Sequence, residues 1–212
     1  QGVFVYRNRR IFGRRAQLSF QVVRGDARRE LNNLSNFDLA VFSPPYPNSF
    51  DYTDVYNLEL WTLGYLLDRQ DNRHLRGSTL CSHVQLERDY PAAPSGSHTL
   101  SSVLDRLRAK HEDLWHKRIP DMVAGYFADL AGVLGDCRRA LREQGRVWVV
   151  VGDSRYAEVA VPTSTILREL APRKGLEVVN VEPFRSMRAS AQQGGQRALQ
   201  ESLVVLKPLP GM

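Results

Sequence analysis

The sequence predicts an α/β fold, a mostly parallel sheet wrapped by helices. Three observations carry this. Strand-like apolar runs alternate with segments of helical period along the 212 residues. The strand runs are nearly continuous in apolar residues, the pattern of strands covered on both faces. The length suits one core, so a single domain is the default.

Taken in order, Phe20-Gln21-Val22-Val23 reads as a short strand ending at Gly25-Asp26, and Ala27, Leu31 and Leu34 as a short helix. Phe37-Asp38-Leu39-Ala40-Val41-Phe42 is a β-rich run that stops at Ser43-Pro44-Pro45, because proline cannot donate to a central ladder. Residues 54–67 look helical, with Val55, Leu58, Trp61, Tyr65 and Leu66 spaced for one face. From Asp68 to about Ser97 the chain is polar and aperiodic, a long loop of the kind that is functional or disordered. Leu100, Val103, Leu104, Leu107, His111 and Leu114 mark an amphipathic helix. A stronger one begins at Asp121, runs through Leu141 and is expected to stop at Gly145. Arg146–Val151, Leu176–Val181 and Ser202–Leu206 are strands, with a helix over Thr163–Ala171 buried through Ile166, Leu167 and Leu170. Trp61 and Trp148 sit in apolar patterns and are expected in the core. The Gly- and Gln-rich stretch at 189–195 reads as a flexible loop.

Composition narrows the class. An apolar fraction of 42% and a charged fraction of 25% are those of a globular protein. No apolar run is long enough to span a bilayer, so no membrane role is expected. Cys81 and Cys137 lack metal-ligand spacing, and the five histidines are scattered, so no metal is expected and a reduced, cytoplasmic setting is the simplest reading. The net charge is +6, but residues 1–29 alone carry +7 and the rest −1. A basic arm at 1–19, with Arg7, Arg9, Arg10, Arg14 and Arg15, suits phosphate contacts on a nucleic acid. A merely solvated arm is the alternative.

The chemistry concentrates in F-D-L-A-V-F-S-P-P-Y at 37–46. Ligands of open α/β sheets bind beyond the carboxyl ends of the strands. Two prolines there fix φ and remove two backbone donors, leaving carbonyls free to accept from a ligand. An exocyclic amine on a nucleobase needs such acceptors, and an aromatic face on which its ring stacks. The stretch resembles the Asp/Asn/Ser-Pro-Pro-Tyr/Phe signature of the S-adenosylmethionine-dependent DNA amino-methyltransferases, its serine form being similar to those that methylate cytosine N4, although some adenine-N6 enzymes share it. Val22-Val23-Arg24-Gly25-Asp26-Ala27, the segment Pro47–Tyr52 with L-E-L-W at 58–61, V-V-V-G-D-S at 149–154 and E-S-L-V-V-L-K at 201–207 extend the resemblance over 20–207.

The resemblance implies several things. The fold is methyltransferase-type, Rossmann-like, with the last strand inserted antiparallel. Ser43 and the Pro44 carbonyl accept from the target amine, Tyr46 stacks on an extruded base and Pro45 shapes the turn. Gly25 and Asp26 lie near the cofactor, S-adenosylmethionine; a helix-capping role for Asp26 is compatible. Residues 20–212 form the catalytic domain, with a target-recognition-like insertion at 68–118 whose Arg73 and Arg76 join the arm in binding DNA. Residues Asp153 and Ser154, ending a central strand at the same edge, are further base-side candidates. One departure stands out. The glycine-rich turn that such enzymes use for the methyl donor is not found. The donor half is therefore expected on a missing segment or a second polypeptide, or is lost. RNA amine methylation, and a non-catalytic nucleic-acid-binding or partner subunit, remain alternative readings.

Overall fold

The computed structural model describes residues 22, 23, 25–188 and 198–210. The basic arm and the 189–195 stretch lie outside the described residues. In chain order the strands are β1 (Phe37–Phe42), β2 (Leu141–Gly152), β3 (Ser154–Tyr156), β4 (Val159–Val161), β5 (Leu176–Arg188) and β6 (Ala198–Pro208). The helices are α1 (Ala27–Glu30), α2 (Tyr52–Val55), α3 (Asn57–Thr62), α4 (Arg69–Gly77), α5 (His98–Ala109), α6 (Ile119–Ala140) and α7 (Thr163–Leu170).

One sheet runs in the order β1-β2-β6-β5, and β3 and β4 form a separate hairpin. Strands β1 and β2 pair in parallel, with Val41 beside Trp148 and Phe42 beside Val149. β6 inserts antiparallel between β2 and β5. Three strands therefore share a direction and the last strand of the chain alone opposes them, the arrangement implied by the resemblance.

Alternation along the strands divides the sheet into two unlike faces. Val147, Val149 and Val151 of β2 and Val204 and Leu206 of β6 pack into one core with Leu104 and Leu107 of α5, Phe127, Leu130 and Leu134 of α6, and Ile166, Leu167 and Leu170 of α7. Each such side chain contributes about 1.5–3 kcal/mol on full burial. Leu39, Val41 and Trp148 point the other way and are 48, 59 and 42% exposed. The expectation of cover on both faces thus holds for one face only among the described residues.

Several boundaries differ from the sequence reading, each for a local reason. Val22 and Val23 are not in a strand, and Val22 is exposed, with no strand beyond β1 in the described sheet for it to join. Helix α6 ends at Ala140 rather than at Gly145, because Leu141 turns extended (φ −77°, ψ 144°) to open β2. Gly145 instead sits inside β2, beside the register irregularity of its pairing with β1: a Cβ there would lie 2.9 Å from the Arg142 carbonyl oxygen and 3.1 Å from that of Phe37. In place of one helix over 54–67, the chain forms the short α2 and α3 followed by a turn; Val55, Leu58, Trp61 and Tyr65 are exposed and Leu66 is buried. Trp61 and Trp148 are likewise exposed rather than in the core.

The polar stretch after Asp68 contains α4, which buries no residue and so has no apolar period to read. Its start is set by Asp68, whose carboxylate accepts from the backbone N–H of Gln70 and Asp71. Farther on, Cys81, Ser82, His83 and Val84 are buried, so this part of the segment is packed although irregular. Both cysteines are free. No helix among the described residues is long and apolar enough to cross a membrane.

Candidate base-binding site

Strand β1 delivers Ser43 to the carboxyl edge of the sheet, and the two prolines end the ladder there. Ser43 Oγ donates to the Val150 carbonyl at 3.3 Å, spending its one proton on the neighbouring strand. The serine oxygen keeps lone-pair capacity for an outside donor. Pro44 is buried, and Pro45 and Tyr46 are partly so.

The residues after the turn are tied down in turn. Buried Tyr156 donates its hydroxyl proton to the Pro47 carbonyl at 2.8 Å. Ser49, at φ +57°, donates its N–H to the Ser82 carbonyl at 2.9 Å, and Gln85 Nε2 donates to the Ser49 carbonyl at 2.8 Å. Asp51 is buried and caps α2 through the N–H groups of Thr53 and Asp54. Its other oxygen pairs with Arg76 at 2.6 Å and faces His83 Nε2 at 3.5 Å. Burial pushes the Asp51 carboxyl up, but the hydrogen bonds from Thr53 and the charges of His83 and Arg76 outweigh it and hold it below the ordinary value. The turn is therefore braced by β2, β3 and the 76–85 stretch together.

The resulting cleft of about 350 Å³ is lined by Ser43, Pro44, Pro45, Tyr46, Tyr52, Arg185 and Glu201. That is within the roughly 300–1,000 Å³ of small-molecule sites. Tyr46 donates its hydroxyl proton to Glu201, which is buried at the start of β6. Burial, reinforced by that carboxylate, pushes the Tyr46 phenol up to about 12. Glu201 is also 3.4 Å from Arg185 Nε on the neighbouring strand. Tyr52 meets Phe50 edge to face, their ring centroids 4.8 Å apart. The cleft thus offers aromatic walls, a hydroxyl acceptor, one carboxylate and one guanidinium.

The structure brings Ser43, Pro44, Pro45 and Tyr46 together in one cleft and leaves the other candidate residues elsewhere. Asp26 caps α1, and both its oxygens are held by Arg28 through Nε and Nη2. A Cβ on Gly25 would come within 2.4 Å of the Glu30 side chain. Asp26 thus pairs with Arg28, and neither Gly25 nor Asp26 lines the cleft that holds Ser43–Tyr46. Arg76 is committed to Asp51, whereas Arg73 is exposed on α4. Asp153 accepts from the Thr163 N–H at 2.9 Å and lines, with Ser154, a second and separate depression. The arginines at 7, 9, 10, 14 and 15 lie outside the described residues. No group of three or more ligating side chains for a metal occurs among the described residues.

Sequence reasoning missed Tyr52, Arg185 and Glu201 as cleft residues. Nothing in the sequence marked them: Glu201 stands just before the apolar Leu203–Leu206 run, with no local link to Tyr46.

A sheet with one inserted antiparallel strand and a proline-locked polar turn at its carboxyl edge defines a methyltransferase-type α/β fold with a ligand cleft at that edge. Comparison with known proteins supplies particular relatives. No protein-family model matches the chain. It is 30% identical over 185 residues to the type II methyltransferase M.AvaI of Nostoc sp. (strain PCC 7120 / SAG 25.82 / UTEX 2576), covering 80% of this chain and 38% of that protein. The type II methyltransferase M.BsoBI of Geobacillus stearothermophilus is 27% identical over 198 residues, covering 82% and 38%. The chain is homologous to type II methyltransferases and spans about two fifths of the length of these relatives. Among solved structures, it is similar to TTHA0409 of Thermus thermophilus, a candidate DNA modification methylase. In complex with S-adenosyl-L-methionine, that protein matches with a TM-score of 0.42 and 14% identity, over 89% of this chain and 55% of that one.

Proposed function

We propose that this chain supplies the base-holding part of an S-adenosylmethionine-dependent DNA amino-methyltransferase, with cytosine N4 favoured over adenine N6. The observation that carries this reading is the Ser43–Tyr46 turn forming one wall of a cleft at the carboxyl edge of β1. Similarity to type II methyltransferases supports the reaction class.

In this reading the target base is extruded from the duplex and stacks on Tyr46. Ser43 and the Pro44 carbonyl accept the amine hydrogens, which leaves the nitrogen lone pair directed for attack. Little acid–base help is needed, because a proton can leave after transfer; proximity and orientation do most of the catalysis. The N-terminal arginines and Arg73 contact phosphates.

Gly25 and Asp26 lie on the donor side, and the glycine-rich turn for the methyl donor is supplied by an adjoining segment or a second polypeptide. Two features support that assembly. Among the described residues β1 is an end strand with an open edge, and the face bearing Leu39, Val41 and Trp148 is uncovered. Open strand edges and bare apolar faces are surfaces on which further strands and helices dock.

Substituting Tyr46 with Ala tests the base-pocket reading. Loss of the stacking face should weaken engagement of an extruded base about tenfold, while nonspecific duplex binding changes little. Equal loss of both in titrations at matched salt argues against a base pocket at Tyr46.

A further inference from the structure

We infer that Glu201 is a positioning residue for Tyr46, and that Arg185 holds Glu201 in place. This rests on the base-pocket reading of the cleft. The three residues come from three different parts of the chain: the turn after β1, the start of β6 and the outer part of β5. Tyr46 Oη donates to Glu201 Oε1, and Arg185 Nε faces Glu201 Oε2 at 3.4 Å. Each carboxylate oxygen thus has its own donor, which is what a nearly buried carboxylate requires. All three line the cleft, so the contact lies at the site itself.

A tyrosine ring has two side-chain torsions, and the backbone of Tyr46 is already restricted by Pro47, which follows it, and by the Asn48 N–H on its carbonyl. Fixing the hydroxyl as well leaves the ring one orientation. An aromatic platform that is already oriented loses less freedom when a base stacks on it. The carboxylate is rigid because its backbone is in the ladder: Glu201 pairs with Gly152 on β2 and with Arg185 on β5. Arg185 itself is 67% exposed at its side chain, so it neutralises the carboxylate without closing the cleft. A carboxylate that only balanced Arg185 would have no reason to face the phenol, and the geometry shows both contacts.

The test compares the full chain with the Glu201→Ala, Glu201→Gln and Arg185→Gln variants by two readouts. The first is NMR of ¹³C-ring-labelled tyrosine, with the Tyr46 signal identified by its loss in Tyr46→Phe. The second is binding of a single-stranded oligonucleotide carrying pyrrolo-cytosine, whose fluorescence reports stacking of that base. In Glu201→Ala the Tyr46 ring signal should shift and its titration move down from about 12. Analogue binding should weaken about tenfold, the scale of one charge-assisted hydrogen bond. Glu201→Gln keeps an acceptor and should retain most of both properties, and Arg185→Gln, at an exposed position, should shift the Tyr46 signal less than Glu201→Ala does.

A Tyr46 signal unmoved in Glu201→Ala and Arg185→Gln, with the wild-type chain binding the analogue, overturns the positioning role and leaves the base pocket standing. A Tyr46 signal that responds as expected, with no binding by any variant including wild type, upholds the coupling and overturns the base-pocket reading. Should Glu201→Ala fail to fold, Arg185→Gln decides the matter: a Tyr46 signal that shifts upholds the coupling, and one that stays unmoved overturns it.

Discussion

Ser43 and Tyr46 face the same cleft with opposite hydrogen-bonding habits. Ser43 has given its proton to Val150 and can accept; Tyr46 has given its proton to Glu201 and presents its ring. Replacing Ser43 with Ala should therefore lower methyl transfer about tenfold, the scale of one lost hydrogen bond to a polar group in a desolvated site. Thermal stability should barely move, since Ser43 is exposed in the chain as described. A large fall in melting temperature alongside the loss of activity would mean that Ser43 serves the fold instead. The Ser-Pro-Pro-Tyr turn was legible in the sequence because all its parts are contiguous: a strand, its stop and an aromatic residue in one short run. Glu201 was not, because it lies 155 residues from Tyr46, and only the insertion of β6 beside β2 brings the two together.

At the level of elements, apolar periodicity succeeded where an element has one buried face and failed where it has none. Helix α6, with Met122, Tyr126, Phe127, Leu130 and Leu134 fully or almost fully buried, could be read directly. Helix α4 buries nothing, and the β3–β4 hairpin has only three residues per strand, too short for an alternation to register. The α6–β2 junction was misplaced because Leu141 continues the helical spacing although its backbone is already extended. That junction gives a direct prediction. Gly145→Ala should destabilise the protein by about 1–3 kcal/mol, because two backbone carbonyls cannot easily move away from the new methyl group. Calorimetry should show a lower melting temperature; an unchanged one would mean that the two carbonyls leave room for a side chain.

The brace formed by Asp51, Arg76 and His83 carries a pH dependence. Burial holds the His83 imidazole below its ordinary value of 6.5. The unfolded chain then binds that proton more readily than the folded one as pH drops below 6.5, so stability falls in acid. Asp51, held below its own ordinary value, acts in the same sense at lower pH, because its contribution is lost as the carboxylate protonates. Urea midpoints should therefore decrease from pH 7.5 to pH 5, and the decrease should be shallower in His83→Gln. An identical slope in the variant would remove His83 from this role.

On the scale of the whole molecule, the sheet has, among the described residues, one covered face and one bare one. A largely parallel sheet normally carries helices on both faces. A second exposed apolar region includes Val55, Tyr56, Leu58, Leu63, Tyr65 and Leu67 on and around α2 and α3. Asp54 and Glu59 lie within that region, and an apolar surface bearing acids suits a protein segment better than a phosphate backbone. The positive charge is concentrated elsewhere in the sequence, with net +7 in residues 1–29, where the proposed reading puts the phosphate contacts. Removing residues 1–19 should accordingly reduce the salt dependence of DNA binding, by nearly one unit of log–log slope for each phosphate that the arm neutralises. A slope unchanged by the truncation would show that the arm does not touch DNA. The bare face could not be read in the sequence, since apolar runs look the same whether or not anything covers them.

The central claim is that the Ser43–Tyr46 cleft receives a DNA base for methylation of its amine. The most direct measurement is transfer of tritiated methyl from S-adenosylmethionine. The protein would be expressed together with its flanking coding sequence and offered DNA and RNA side by side, and the labelled product digested to nucleosides. Label in DNA as N4-methylcytosine, strongly reduced by Tyr46→Ala, is the expected result. Label in RNA alone, or DNA labelling that Tyr46→Ala leaves unchanged, would contradict it.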